Sequence, residues 1–296
     1  MSRKLFQAYV AVDWSAASKP STGPDSIWIG VLKRNVRFQM AFEAHNPATR
    51  VEAEKLINVI LDDLKRKGER ALVGFDFPLG FPRGTAAALK LSGPPWSALM
   101  DFIAREVKDK ADNTNNRFQV GAKMNRLMTG EPFPFWGAPA RDAQTMLSVK
   151  RVREHGADDL PELRLAETVL KGPSSIWKLY YQGSVGGQAL VGLPVIKRLR
   201  HERAIKVWPF ETGWKRLAIA DLDGADAVFA EIYPSMFAPK AANGAIKDEA
   251  QVRAACERFH ELDERGQLAP LFGPAKDDPR RDIIEREEGW ILGAPA

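Results

Sequence analysis

The chain has 296 residues, 45% of them hydrophobic and 27% charged, which suits a full apolar core and argues against disorder. The single cysteine, Cys256, excludes a disulfide framework and a cysteine-based zinc site, and His45, His155, His201 and His260 show no metal spacing. A net charge of +5 is compatible with a polyanionic partner but is weak evidence for one. No apolar run reaches the length of a membrane span, so no membrane partner is expected. The segment MSRKLFQAYV enters a strand with no signal-peptide pattern, an expectation of a cytoplasmic protein.

Tyr9 to Asp13 reads as a first strand, long enough to be buried and too short for a core helix. A Pro-, Ser- and Gly-rich loop, Lys19 to Asp25, precedes a second strand at Ile27 to Leu32. Val36, Phe38, Met40 and Phe42 alternate with Arg37, Gln39 and Ala41, the period of a half-exposed third strand. Short connections make the three an antiparallel meander. Thr49 and Glu52 form a capping-box pair opening a helix through Ala53, Leu56, Ile57, Ile60, Leu61 and Leu64, and Gly68 closes it. Ala71 to Asp76 is the next strand, and a strand–helix–strand order favours a parallel crossover.

Between residues 93 and 203 the pattern changes to a long, mainly helical insertion or cap within a single domain spanning 1–296. Helices are expected near Trp96 to Lys110, Ala140 to Arg153 and Pro161 to Leu170. Lys206 to Phe210 is a further strand candidate, and Ala227 to Ile232 returns to strand character. Asp248 opens a helix with Val252, Ala255, Cys256, Phe259 and Leu262 on one face, so Cys256 reads as a buried core thiol. The tail after Asp277 reads as a short charged helix closed by Gly289 and Trp290.

Three strands end on acids: AYVAVD on Asp13, ALVGFD on Asp76 and AVFAE on Glu231. A carboxylate at the end of a buried strand is costly to ionise without a cation or donor nearby. Oxygen ligands gathered this way suit a hard cation such as Mg2+ or Mn2+. Each acid also has a plain structural reading. Asp13, with Ser15 and Ser18, fits a turn, and so does Asp76 before Phe77 and Pro78. Glu231 ahead of Tyr233 and Pro234 fits a buried pair with an arginine.

The order of three antiparallel strands, a helix and then parallel strands is that of the ribonuclease H-like fold, here a mixed five-stranded sheet flanked by helices. With YVAVDWS, VGFDFPLGFP and AEIYPSMF in that order, the chain resembles the predicted-nuclease family of that fold, a family known as a domain of unknown function. That family opens on a G-I-D strand and has I-D-x-P-L and E-x-x-P strand ends. The resemblance covers most of the chain outside the insertion and implies that Asp13, Asp76 and Glu231 are catalytic, metal-binding acids. It implies metal-assisted hydrolysis of a phosphodiester, with nucleic acid or another phosphoester as substrate. Two cations about 3.5–4 Å apart would clamp the attacking and leaving oxygens in such a reaction.

A fourth acid is expected from the helix after the last strand, where the family has D-x-x-D-A. This chain reads Asp248, Glu249, Ala250, Gln251, Val252, so only the first acid matches, and Asp248 with Gln251 also fits a helix-capping pair. Asp282 and Glu285 are reserve candidates. The run Lys197, Arg198, Arg200, Arg203 and Lys206 reads as a solvated face or a phosphate-contacting patch, with Lys197, Arg198 and Arg200 the substrate-binding candidates. GSVGG, Gly183 to Gly187, reads as a helix-linking turn or a phosphate cradle lacking a P-loop lysine. Trp177, Tyr180 and Tyr181 read as core or as base-stacking platforms. Two other functions fit less of the sequence. One is an actin-like or sugar-kinase-like nucleotide-dependent phosphotransferase, since VDWSAAS resembles its opening turn, although no second copy of that fold is visible. The other is a non-catalytic binding protein; similar sequences carry names from cofactor biosynthesis, a chemistry no residue here supports.

Overall fold

The computed structural model describes residues 4–172, 174–201, 203–237 and 246–295. Strands β1 (Ala8–Asp13), β2 (Trp28–Arg34) and β3 (Met40–His45) form an antiparallel meander. Helix α1 (Arg50–Arg66) crosses to β4 (Ala71–Phe75), which pairs parallel with β1. Then come α2 (Thr85–Ala88), α3 (Pro95–Glu106), α4 (Arg117–Met128), α5 (Leu165–Thr168) and α6 (Gly186–His201). Strands β5 (Ile205–Val207) and β6 (Ala227–Glu231) complete the sheet, followed by α7 (Lys247–Glu264) and the short α8 (Arg281–Ile283). The result is an α/β fold around one mixed, six-stranded sheet of order β3-β2-β1-β4-β6-β5.

The strand candidate at Lys206 thus becomes the sixth strand, at the parallel edge, and Pro209 removes the donor that would extend its pairing. Strand three begins later than the alternation predicts. Val36 and Phe38 are 96% and 83% exposed, in the turn before β3. The Asn35 side chain accepts from the Arg37 and Gln39 backbone N–H groups, a local turn that captures this stretch before pairing starts. Helix α1 follows its sequence signals. Thr49 Oγ1 accepts from Glu52 N–H at 3.2 Å, and the Glu52 carboxylate accepts from Thr49 N–H at 3.2 Å.

In the region 93–203 the expectations fare unevenly. The helix near Trp96 is α3, but Ala140–Arg153 holds only a 3-10 turn at Ala140–Asp142, and Pro161–Leu170 only the single turn α5. The longer helices α4 and α6 lie where no helix was expected. Their side chains Phe118, Val120, Leu190 and Ile196 join Val10, Val12, Val73 and Phe75 of the sheet in one apolar cluster. This stretch therefore builds one layer of the core.

The other face of the sheet carries α7, and the strand register shows why the helix sits so close. Gly30 pairs with Ala44 on one side and Ala11 on the other; Ala11 pairs with Gly74, and Gly74 with Ala230. Residues paired across adjacent strands share a face, so five small residues form a row on the face that carries α7, with Ala44, Gly30 and Ala11 on the strands the helix packs against. The fit is tight. A Cβ placed on Gly30 would stand 3.1 Å from Val252, and Cys256 Sγ donates to Gly30 O at 3.5 Å. Cys256 is the buried core thiol expected, its pKa raised by burial. The far end of α7 is pinned by Asp263, whose carboxylate accepts from Leu5 N–H, Phe6 N–H and the Tyr9 hydroxyl at 2.8–3.0 Å.

The row makes the sheet intolerant of bulk at its centre. A Cβ on Gly74 would lie 2.6 Å from Ile232. Gly74→Val is expected to destabilise the fold by about 1–3 kcal/mol, the usual cost of overpacking a core. Urea denaturation checks this, and an unchanged midpoint would contradict the close-packed row.

Candidate active site

The same register decides which strand-end acids meet. Val12 pairs with Phe75, so the next residues, Asp13 and Asp76, stand level with each other. Their side chains fall on the α7 face, two positions beyond the small row. Phe75 pairs with Glu231, so Glu231 stands one residue short of that level and points to the opposite face. Ile232 takes the position level with Asp76. The expected convergence of Asp13, Asp76 and Glu231 is met in part: Asp13 and Asp76 stand level on one face, while Glu231, one residue back, turns to Arg164, although Asp76 and Glu231 line one small pocket.

Asp13 and Asp76 are hydrogen-bonded to each other, and both carboxyls are pushed up in pKa, Asp13 the further. Burial is the largest cause for each, and the charge of Asp248 adds to it. For Asp13 the neighbouring Asp76 charge is the next cause, while Lys247 opposes the shift. Asp76 is held lower by the hydrogen bond from Asp13 and by Trp14 N–H, which donates to its Oδ1 at 2.7 Å. Two carboxyls this close do not both ionise as readily as free ones, so the pair as a whole titrates above the usual carboxylate range.

Asp248 lies in the first turn of α7, as expected, but it does not cap the helix. The N-cap is Ile246, without a side-chain hydrogen bond, and Asp248 Oδ2 instead accepts from Asp25 N–H at 2.8 Å. It thereby ties α7 to the loop after β1 while its charge faces the pair. The reserve acids are elsewhere: Glu285 accepts from Trp214 N–H, and Asp282 is exposed beside Arg286.

Glu231 is buried and bound by Arg164, whose Nη1 and Nη2 donate to its two oxygens at 2.8 and 2.6 Å. Leu79 N–H donates to it as well, at 3.1 Å. Arg164 also binds Glu167 and the Glu288 carbonyl, while the Glu288 carboxylate accepts from Leu165 N–H. This is the arginine pairing that was the structural reading of Glu231, enlarged to a network joining β6, α5 and the C-terminal segment.

Asp13 and Asp248 line a cleft of about 850 Å³. Its walls come from the loop after β1 (Ser15, Ser18, Lys19), from Arg117 and Phe118 of α4, from Arg141, and from the turn before α6. Gly183 and Ser184 of the GSVGG turn are part of that wall, and Gln188 Nε2 donates to Trp14 O at 2.5 Å. Tyr180 and Tyr181 line the cleft, 41% and 47% exposed, whereas Trp177 is core. The basic run lies away from it. Lys197 pairs with Asp101, Arg198 with Glu54, Arg200 with Glu211 and Arg203 with Asp62, each fastening α6 or its end to a neighbouring element. None of Lys197, Arg198 and Arg200 lines the cleft, so the rim placement expected of them is not met. The cleft's own cations, Lys19, Arg117 and Arg141, are scattered in sequence and offered no run to notice.

Among the described residues no group of three or more His, Cys, Asp or Glu side chains is arranged to hold a metal ion. The donor set of Asp13 and Asp76, oxygen only and short of positive charge, suits one hard divalent cation completed by water better than a four-carboxylate, two-cation site. No protein-family model, curated protein or solved structure matches this chain.

Two outcomes follow from these contacts. Arg164→Met leaves the Glu231 and Glu167 carboxylates buried without their partner and is expected to cost about 3–5 kcal/mol of stability, read from urea midpoints. The carboxyl pair sets a pH dependence of the opposite sign to a salt bridge. A carboxyl with a raised folded-state pKa stabilises below its unfolded value of about 4, and that contribution is lost as pH rises through the folded value. For Asp76 the folded value is pushed up to about 6. In EDTA, Asp76→Asn should therefore gain stability relative to the unmodified chain as pH rises from 4 to 8. A difference that stays constant with pH would show that the pair does not titrate above the usual carboxylate range.

Proposed function

We infer that the protein is a metal-dependent phosphodiester hydrolase of ribonuclease H-like type, with Asp13 and Asp76 at its centre and Asp248 beside them. The observation that carries this reading is the pair of adjacent carboxyls, Asp13 and Asp76, at the ends of two parallel strands, with Asp13 opening into a cleft with cationic and aromatic walls. The sheet order, with an antiparallel meander on one side of β1 and parallel strands on the other, supports the same fold family.

Asp13 and Asp76 would hold Mg2+ or Mn2+, with Asp248 adding negative charge at the mouth of the site. When bound, the cation supplies Lewis acidity toward a phosphoryl oxygen and a water of lowered pKa. The protein's own groups do the rest. Trp14 N–H and the helix α7 fix the orientation of Asp76 and Asp248. A cation would compete with protons for this carboxyl pair, so its affinity would rise with pH. Arg117 and Lys19 offset the charge of an incoming phosphoester. Among the described residues there is one sheet, which favours this reading over an actin-like enzyme built from two copies.

Calorimetric titration with Mn2+ and cleavage assays on labelled DNA and RNA test the proposal. Asp13→Asn and Asp76→Asn should each abolish Mn2+ binding and cleavage. Glu231→Gln should lower stability while leaving Mn2+ affinity within a few-fold. Absence of Mn2+ binding, or a Glu231→Gln variant that loses it as fully as Asp13→Asn, would overturn the assignment.

A further inference from the structure

The cleft wall holds a cation that the fold does not explain. Arg117 is only 3% exposed, yet among the described residues it pairs with no carboxylate. Its Nη1 donates to Ser18 Oγ and Asn115 Oδ1, both at 2.9 Å, its guanidinium lies 4.3 Å from the Phe118 ring centroid, and its Nε has no partner. Burial and the charge of Arg50 depress its pKa to about 10, so it remains charged at neutral pH. Removing one partner of a buried ion pair is strongly destabilising because a lone buried charge is costly. A site that keeps such a charge against a cleft is matched to an anion arriving from outside.

Beside it stand two tyrosines that the core does not need. Tyr180 and Tyr181 meet edge to face at 4.9 Å, Tyr180 leans on Phe118 at 6.1 Å, and both rings are near half-exposed. Tyr181 holds a φ of 75°, a left-handed conformation that a bulky residue adopts only under constraint. Lys19 and Arg141 complete the wall, the latter paired with its chain neighbour Asp142. A buried phosphate-type anchor next to exposed aromatic rings is the combination by which proteins hold unpaired nucleotides: the backbone takes the charges and the bases stack. The base faces of a duplex are already stacked and closed to such rings. At about 850 Å³ the cleft also sits near the top of the range of small-ligand pockets, about 300–1,000 Å³, which suits a short run of unpaired nucleotides.

We propose that the cleft takes single-stranded nucleic acid, with a phosphate on Arg117 and bases against Tyr180 and Tyr181, leading the strand toward Asp13. This names the substrate class of the site inferred above and rests on that reading for its chemistry, though not for its binding. The test is fluorescence anisotropy of the full chain with labelled oligo-dT, oligo-U and a duplex of equal length, in EDTA so that no cation contributes. Single strands should bind more tightly than duplex at every salt concentration, and the ratio of oligo-dT to oligo-U affinity tells DNA from RNA. Tyr180→Ala and Tyr181→Ala, both at exposed positions that leave folding intact, should each weaken single-strand binding by about 5- to 100-fold. Lys19→Gln and Arg141→Gln should each lower the slope of log K against log salt by about 0.7 if they contact phosphate. Arg117→Lys, which keeps the charge but loses the planar donors, should weaken binding without changing that slope. Duplex binding equal to or tighter than single-strand binding, or tyrosine variants that bind as the unmodified chain does, overturns the proposal. Single-strand binding that depends on the tyrosines, without cleavage in any divalent cation, would uphold it and sink the hydrolase reading. Cation-dependent cleavage indifferent to both tyrosines would do the reverse.

Discussion

The close seating of α7 on the sheet is the constraint from which the site follows. Five small residues, Ala44, Gly30, Ala11, Gly74 and Ala230, remove side-chain bulk from one row of the sheet; on β1 to β3 this lets the helix descend onto backbone, and on β4 it admits Ile232. The strand period then fixes the consequences. Two residues further along the strands on the same face come Asp13 and Asp76, and the first turn of α7 brings Asp248 to that end. Larger side chains in the row would lift the helix and carry Asp248 away from the pair.

A one-residue offset in pairing separates two kinds of buried acid within this fold. Among the described residues Asp13 and Asp76 face each other, backbone N–H groups and a partly opposing lysine, and both carboxyls are pushed up in pKa. Burial pushes Glu231 up as well, but one step back it has Arg164, whose direct hydrogen bonds oppose that shift. The first arrangement leaves a demand for positive charge unmet and opens into a cleft. The second satisfies that demand internally and closes the C-terminal segment onto β6. Sequence context alone hides the difference, because all three acids end apolar strands.

That contrast marks how far the chain could be read directly. The strands, α1 with its capping box, the buried thiol of Cys256 and the pairing of Asp13 with Asp76 follow from local signals: periodicity, turn chemistry and strand-end acids. Where Glu231 points depends on inter-strand register, which no single stretch encodes. The failure at Val36 and Phe38 has a local cause, the Asn35 turn, which outweighs an alternation that continues past it. Helix α6 was missed because it is buried on most sides, and α4 because Arg117, Gly121 and Asn125 sit on its buried face while Leu127 is exposed, which blurs the polar–apolar rhythm. The basic run drew attention as a cluster, yet Lys197, Arg198, Arg200 and Arg203 are each paired with an acid on another element. Arg117 is isolated in sequence and drew none, although among the described residues it is a buried cation paired with no carboxylate. A run of like charges is visible on the page; the absence of a counter-charge is visible only in three dimensions.

The anchoring of the N-terminal segment on Asp263 carries a consequence for biosynthesis. Asp13 and Lys247 lie 234 positions apart, so β1 leaves the ribosome well before the helix that covers one of its faces. At about 5–20 residues per second, that interval is roughly 10–50 s. Throughout it Tyr9 and Ala11 lack their roof, and Leu5 and Phe6 lack the carboxylate that receives their N–H groups. The middle strand of the sheet is thus among the first segments made and among the last to be sheltered. The nascent chain must therefore either hold the meander of β1 to β3 as a half-covered layer or be screened by a chaperone until α7 has emerged.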